Sequence, residues 1–258
     1  MGKLFGTDGI RGIANEYPMT AEMALMVGRA VVAILKGRKK KSKIIIGKDT
    51  RASGFMLEHA LVSGVCSMGA DAYLAGTIPT PGVAVLTTVT AASAGIVVSA
   101  SHNPFYDNGI KLYNSDGFKV PDDKEGEIEQ AVLNGDTSRI SESIRDTGRV
   151  YRLEDASRIY TAFLKRCCPR EFSLNGMKIA LDCSNGATYQ VAPQLFSELG
   201  AQIESIAVGP DGKNINADCG SEHPQALAAK VLETKADIGL AFDGDGDRLL
   251  AVDEKGGL

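Results

Sequence analysis

Short, unbroken apolar runs alternate along this chain with longer stretches whose apolar residues recur at helical spacing, and few folds accept that alternation. Ile44-Ile45-Ile46 is continuous and β-branched, the pattern of a strand buried on both faces. Ala72-Tyr73-Leu74-Ala75, Ile96-Val97-Val98 and Ile110-Lys111-Leu112-Tyr113 predict further strands. Between them, Met23, Leu25, Met26, Ala30, Val31 and Ile34 keep helical spacing behind Thr20, a suitable N-cap. Ser53 is placed to cap a second helix reaching Met68, where Gly69 stops it. A weaker helix follows Pro79-Thr80-Pro81, and Asp122 to Leu133 reads as a charged surface helix.

After a polar, irregular stretch at 134–150, the natural linker, the alternation restarts. It gives a helix over 153–166, a strand from Met177 to Leu181, a helix over 187–199 and a strand from Ile203 to Val208. A helix after Pro224 and the strand Ile238-Gly239-Leu240-Ala241-Phe242 complete it. Strand–helix alternation with buried strands implies an α/β protein of two successive three-layer α/β/α domains, 1–150 and 151–258, with mainly parallel mixed sheets. The openings Lys43-Ile44-Ile45-Ile46 and Lys178-Ile179-Ala180-Leu181 hint that the halves repeat. Leu249-Leu250-Ala251-Val252 predicts a strand and Asp253 to Gly257 a hairpin turn. A returning strand is expected beyond Leu258, so the sequence reads as part of a longer protein.

Composition narrows the function classes. At 44% hydrophobic and 23% charged, 258 residues form a real core without disulfide or metal staples. The 28 basic and 32 acidic side chains leave −4, which argues against nucleic acid or an anionic membrane as partner. The basic run Lys36 to Lys43 has no interleaved aromatic and reads as a solvated loop at a helix end. No apolar run approaches the roughly 20 residues of a membrane span, and the N-terminus lacks a signal-peptide core, so a cytoplasmic location is expected. Five cysteines, Cys167 and Cys168 adjacent and none in a C-x-x-C pair, do not make a disulfide framework or a zinc site. His59 falls in an apolar helix as a packed side chain, and His223 has no assigned role.

Three segments carry chemistry. Asp243-Gly244-Asp245-Gly246-Asp247-Arg248 directly follows a buried strand, at the sheet edge where ligands gather in parallel α/β proteins. Glycines let three carboxylates converge, and their repulsion calls for a hard cation, magnesium when phosphate oxygens complete the shell. An EF-hand fails, because Arg248 stands where glycine is needed and a strand precedes the loop. A haloacid dehalogenase-like phosphatase, with Asp243 as nucleophile, is an alternative that lacks its downstream acidic and Lys motifs. The second segment, Ser99-Ala100-Ser101-His102-Asn103-Pro104, offers a hydroxyl nucleophile or phosphate carrier with His102 adjacent. Ser99 is the competing hydroxyl, but Ser101 is the one that reaches the loop. In the third, Gly6-Thr7-Asp8-Gly9-Ile10-Arg11-Gly12, glycines bring backbone close to an anion beside Arg11, a strong phosphate partner.

Together with Asn108-Gly109-Ile110-Lys111, these motifs resemble the α-D-phosphohexomutase superfamily, in order, from residue 6 to 248. They match the first two of that family's four domains. The resemblance implies that Ser101 bears a transferable phosphoryl group, and that Asp243, Asp245 and Asp247 hold magnesium with a phosphoserine oxygen. It places Arg11, Lys111 and Arg248 around the phosphoryl group, with His102 as proton shuttle. Within the superfamily the motifs look most like the branch that interconverts glucosamine 6-phosphate and glucosamine 1-phosphate. The partners implied are a phosphorylated hexose or hexosamine and its 1,6-bisphosphate. Three carboxylates and a phosphate dianion total about −5, which the metal and the three cationic side chains would balance. The alternatives are a phosphoglucomutase or phosphomannomutase of the same superfamily, and a non-catalytic binding module. Sugar recognition belongs to the family's later domains, so this chain alone is expected to turn over negligibly.

Overall fold

The run Ile44-Ile45-Ile46 becomes the centre of a six-stranded sheet because all three side chains are fully buried. The structure, a computed structural model, describes residues 4–35, 42–135, 137 and 145–258. The basic run from Lys36 to Lys41, and residues 136 and 138–144 of the expected linker, lie outside them.

The elements of the first half are β1 (Ile10–Ile13), α1 (Ala21–Leu35), β2 (Lys43–Lys48), α2 (Gly54–Ser67) and β3 (Asp71–Thr77). Next come α3 (Thr80–Val89), β4 (Ala94–Val98), β5 (Asp107–Asn114), α4 (Asp122–Asn134) and β6 (Val150–Arg152). The second half contributes α5 (Ala156–Cys167), β7 (Lys178–Asp182), α6 (Val191–Glu198), β8 (Gln202–Ile206), α7 (Gln225–Thr234), β9 (Ile238–Phe242) and β10 (Leu249–Val252).

Strand order in the first sheet is β1-β5-β4-β2-β3-β6, and in the second β10-β9-β7-β8. Each sheet is covered on both faces. Ile44 and Ile46 point to the cluster built with α1, α2 and α4, whereas Ile45 joins Val83, Leu86, Ala156 and Tyr160 of α3 and α5. Each buried Ile side chain contributes roughly 1.5–3 kcal/mol relative to exposure. Ala180 packs with Leu227 and Val231 of α7, while Ile179 and Leu181 face Ala192 of α6. This is the expected pair of three-layer α/β/α arrangements.

The hint of a repeat deepens into topology. In the first half β2 runs parallel to β3 and β4, and β5 returns antiparallel to β4. In the second, β7 runs parallel to β8 and β9, and β10 returns antiparallel to β9. The loop after β4 and the loop after β9 are therefore the same loop in two copies of one unit.

Some local expectations change. Thr20 does receive the Met23 amide at 3.3 Å, but Ser53 makes no cap; its hydroxyl accepts from Asn108 at 2.9 Å. His59 is exposed on α2 rather than packed, its Nδ1 lying 2.7 Å from the Phe55 carbonyl. Residues 6–12, read as an anion-binding turn, run at their end into β1, an edge strand paired antiparallel to β5. β6 straddles the expected boundary at 150/151 and pairs with β3, so Tyr151 and Arg152 belong to the first sheet. Among the described residues no helix is long and apolar enough to cross a membrane, and all five cysteines are free.

Candidate active site

The two equivalent loops meet. Ser101 follows β4, Asp243 follows β9, and the Ser101 hydroxyl donates a short hydrogen bond to Asp243 Oδ2. Ser101 is 1% exposed and sits at φ +53°, a left-handed conformation that a serine adopts only when its surroundings hold it there.

Those surroundings are specific. The Ser101 amide donates to Ser99 Oγ at 2.9 Å, and the Ser99 hydroxyl donates to Asp49 Oδ2 at 2.6 Å. Ser99 is thus a support for the loop, and Ser101 the hydroxyl presented to the carboxylates, as its place in the loop suggested.

Carboxylate oxygens of Asp243, Asp245 and Asp247 lie within 4.8 Å of one another. Asp243 Oδ1 accepts the amides of Asp247 and Arg248, each at 3.2 Å. Asp245 Oδ2 takes the Thr80 hydroxyl and Lys111 Nζ, the latter at 2.8 Å, while Asp245 Oδ1 is buried with no hydrogen-bond partner among the described residues. A buried anionic oxygen without a partner is costly. Its position among three hard carboxylates fits a cation bound there. Burial, then the charges of Asp245 and Asp247, push the Asp243 carboxyl above the usual range. Asp245 is buried too, yet Lys111 holds it below that range.

Lys111 is the cationic hub. Its Nζ lies 2.8 Å from Asp245, 3.3 Å from Asp247 and 3.0 Å from Asp8. Burial works against its charge, but those carboxylates, Asp245 foremost, hold its pKa well above ordinary lysine. Asp8 in turn bonds Arg11 at 2.5 Å, and Arg11 Nη1 donates to the Ala100 carbonyl at 3.2 Å. Partial burial opposes the Asp8 charge, yet Lys111 and Arg11 keep it below the usual carboxylate range. Asp8 thus adds a negative charge to the balance expected from the sequence.

Arg248 stands at the rim, half exposed, with Nη1 3.6 Å from Glu222. His102 lies between: burial, then the Arg248 charge, lower its pKa, and its Nδ1 is buried without a partner. An imidazole so placed is neutral near pH 7 and free to take a proton.

Sequence reasoning missed four contributors. Asp49 and Arg51 lie directly after β2, at the same carboxyl edge of the sheet that drew notice to the other loops. Thr80 opens α3 and donates twice to Asp245, its amide to the backbone carbonyl at 2.8 Å and its hydroxyl to Oδ2. Asn216, in the Gly- and Asn-rich loop after β8, donates to the Ser101 carbonyl at 2.9 Å.

Known proteins resemble this chain over both of its halves. Residues 2–139 match the family described as phosphoglucomutase/phosphomannomutase, alpha/beta/alpha domain I, and residues 159–256 match domain II. The chain is 59% identical over 258 residues to a phosphoglucosamine mutase of Syntrophus aciditrophicus and 53% identical to one of Geobacter sp. strain M21. It covers all of itself but only 58% and 57% of those proteins' lengths. A phosphoglucomutase/phosphomannomutase family protein from Burkholderia thailandensis superposes with TM-score 0.82 at 25% identity, over 98% of this chain and 55% of that one. Parafusin, a phosphoglucomutase from Paramecium in its open form, shares the fold with TM-score 0.74 at 17% identity, over 98% of this chain and 53% of its own.

Proposed function

The chain belongs to the phosphoglucomutase/phosphomannomutase family, and from that premise we propose that it is the phosphoserine- and metal-bearing part of a phosphoglucosamine mutase. The reaction would interconvert glucosamine 6-phosphate and glucosamine 1-phosphate. The observation that carries this reading is the short hydrogen bond from the buried Ser101 hydroxyl to Asp243, beside the unpartnered Asp245 Oδ1. The high identity to proteins named phosphoglucosamine mutase supports the choice of sugar. Residues 1–150 would form the phosphoserine domain and 151–258 the metal-loop domain.

Phosphoryl transfer depends on positioning and on charge stabilisation more than on covalent chemistry. Ser101 Oγ carries the phosphoryl group; its bond to phosphorus breaks as a sugar hydroxyl forms one. The sugar's proton leaves to a base, and the neutral His102 beside Ser101 is the suited group. The bisphosphate then reorients, and its other phosphoryl group returns to Ser101 Oγ, whose proton, taken up as Oγ left phosphorus in the first transfer, passes to the sugar oxygen that is released. Arg11 and Lys111 supply positive charge beside the serine loop, and Arg248 does so from the rim. Asp243, Asp245 and Asp247 would hold magnesium, which when bound supplies Lewis-acid neutralisation of phosphoryl charge.

The experiment is phosphopeptide mapping of the full-length protein after incubation with magnesium and a hexose 1,6-bisphosphate. Acid-stable phosphate on Ser101 is expected. An acid-labile acyl phosphate on Asp243 would overturn the reading in favour of a phosphatase-like nucleophile.

A further inference from the structure

Arg51 and Asn216 meet on two backbone carbonyls of the serine loop. Arg51 Nη2 donates to the Ser101 carbonyl at 2.9 Å and to the Asn103 carbonyl at 2.7 Å. Asn216 Nδ2 donates to the same two oxygens, at 2.9 and 3.1 Å. Each amino group has two hydrogens and each carbonyl two lone pairs, so four hydrogen bonds close a ring with nothing left over. One amino group comes from the loop after β2, the other from the loop after β8. The ring therefore has one donor from each half of the molecule.

We propose that Arg51 and Asn216 are positioning residues that fix the Ser101 peptide for phosphoryl transfer and register the second half against it. The inference rests on the reading of Ser101 as the phosphoryl carrier. Arg51 is fully buried, with Nε 3.2 Å from Asp49. Asp49 also accepts the Arg51 amide at 2.9 Å and reaches the Ser101 amide through Ser99. The two peptide groups flanking the Ser101 α-carbon are thus tied to one Asp49–Arg51 unit, and the hydroxyl alone is left for chemistry. A left-handed serine relaxes toward commoner backbone angles unless both sides are held. Relaxation would swing Oγ away from Asp243.

Asn216 locks this unit to the metal loop. Its own backbone is left-handed, at φ +58°, and its amide donates to Ser184 at 2.9 Å. A Cβ added at Gly244 would lie 2.6 Å from the Ser101 carbonyl and 2.8 Å from Asn216 Nδ2, so the acidic loop is seated directly on the ring. Displacement of reacting atoms by about 1 Å costs on the order of a hundredfold in rate.

The test uses the full-length enzyme with Asn216→Asp and Asn216→Gly. Both replacements tolerate the left-handed backbone, and both remove the donors. The rate of Ser101 labelling from a radiolabelled hexose 1,6-bisphosphate is followed, with magnesium affinity by calorimetry and melting temperature as controls. Labelling at least about tenfold slower in both variants is expected, through kcat rather than KM, with magnesium affinity and melting temperature near wild type. Arg51→Lys, which keeps a cation beside Asp49 but loses the planar fork, should slow it likewise. Variants within twofold of wild type would overturn the clamp, as would a parallel fall in magnesium affinity, which would make Asn216 a support of the acidic loop instead. If the wild type itself carried no label on Ser101, the phosphoserine reading would fail first, and the clamp with it.

Discussion

The ends of β2 and β7 occupy the same place in the two halves and begin with the same turn. Asp49 Oδ1 accepts the amide of Arg51, two residues on, and Asp182 Oδ1 accepts the amide of Ser184, also two residues on. Each aspartate spends its other oxygen on a neighbouring loop: Asp49 on the Ser99 hydroxyl, Asp182 on the Gly220 amide at 2.7 Å. The difference lies at the third position. Arg51 sends a buried cation across to the serine loop, whereas the Ser184 hydroxyl donates only to the Phe242 carbonyl, where β9 ends. One turn thus serves as an electrostatic anchor in the first half and as a neutral brace in the second.

That contrast predicts unequal costs. Asp49→Ala strands the Arg51 charge in a dry interior and should lower unfolding free energy by about 3–5 kcal/mol, read by urea denaturation. Asp182→Ala leaves two backbone amides unpaired, at about 1–3 kcal/mol for each, but strands no charge and relieves the desolvation of the carboxylate itself, so its net cost should be the smaller. Equal losses would mean that the Asp49–Arg51 charges matter no more than backbone hydrogen bonds. The second positions of the two turns are held by Thr50 and Cys183. Thr50 donates to the Asn185 carbonyl at 2.5 Å across the halves, so Thr50→Val should cost about 1 kcal/mol.

A smaller effect depends on pH and has the same sign at both aspartates, since burial is the largest influence on each and raises both. Burial raises the Asp182 pKa in the folded state above its unfolded value, against the pull of its two amide donors. The folded form then binds the proton more tightly, so stability rises as pH falls through the folded pKa toward the unfolded one. Wild type should therefore gain on Asp182→Asn as pH drops from neutrality, in paired denaturation curves; a gain for the variant would reverse the sign of the burial effect. The least effect is a silence. Burial pushes the Cys183 thiol up to about 12, so it should resist alkylation at pH 8 in the folded protein while exposed Cys167 reacts, as peptide mapping would show.

Much of the architecture was legible because buried parallel strands write themselves as continuous β-branched runs, as in Ile44 to Ile46. The strand at β5 was expected but not its antiparallel return, which had its own sign in the chain. Only Ser99 to Tyr106 separate it from β4, fewer than the dozen or more residues a parallel crossover needs. Exposed β6, with no apolar alternation, left no such mark. At the site, Ser101 and the three aspartates stood out because carboxylates crowded beside glycines have few structural uses. Lys48-Asp49-Thr50-Arg51 did not, since that tetrad has the composition of any solvated turn until its burial is known. Asn216 was hidden most deeply. Its partners are more than a hundred residues away in sequence, and an amide in a polar loop acquires a role only from what faces it.

Ser101 with Asp243, Lys111 and Thr80 with Asp245, and Arg51 with Asn216 across shared carbonyls are all links between the two halves, and all lie at the reactive loops. Linkage then works in both directions: a ligand that contacts both loops at once tightens the seam, and a tighter seam raises affinity for that ligand by the same factor, whereas a cation held by the acidic loop alone is indifferent to it. Occupancy and cohesion become one equilibrium viewed from two sides.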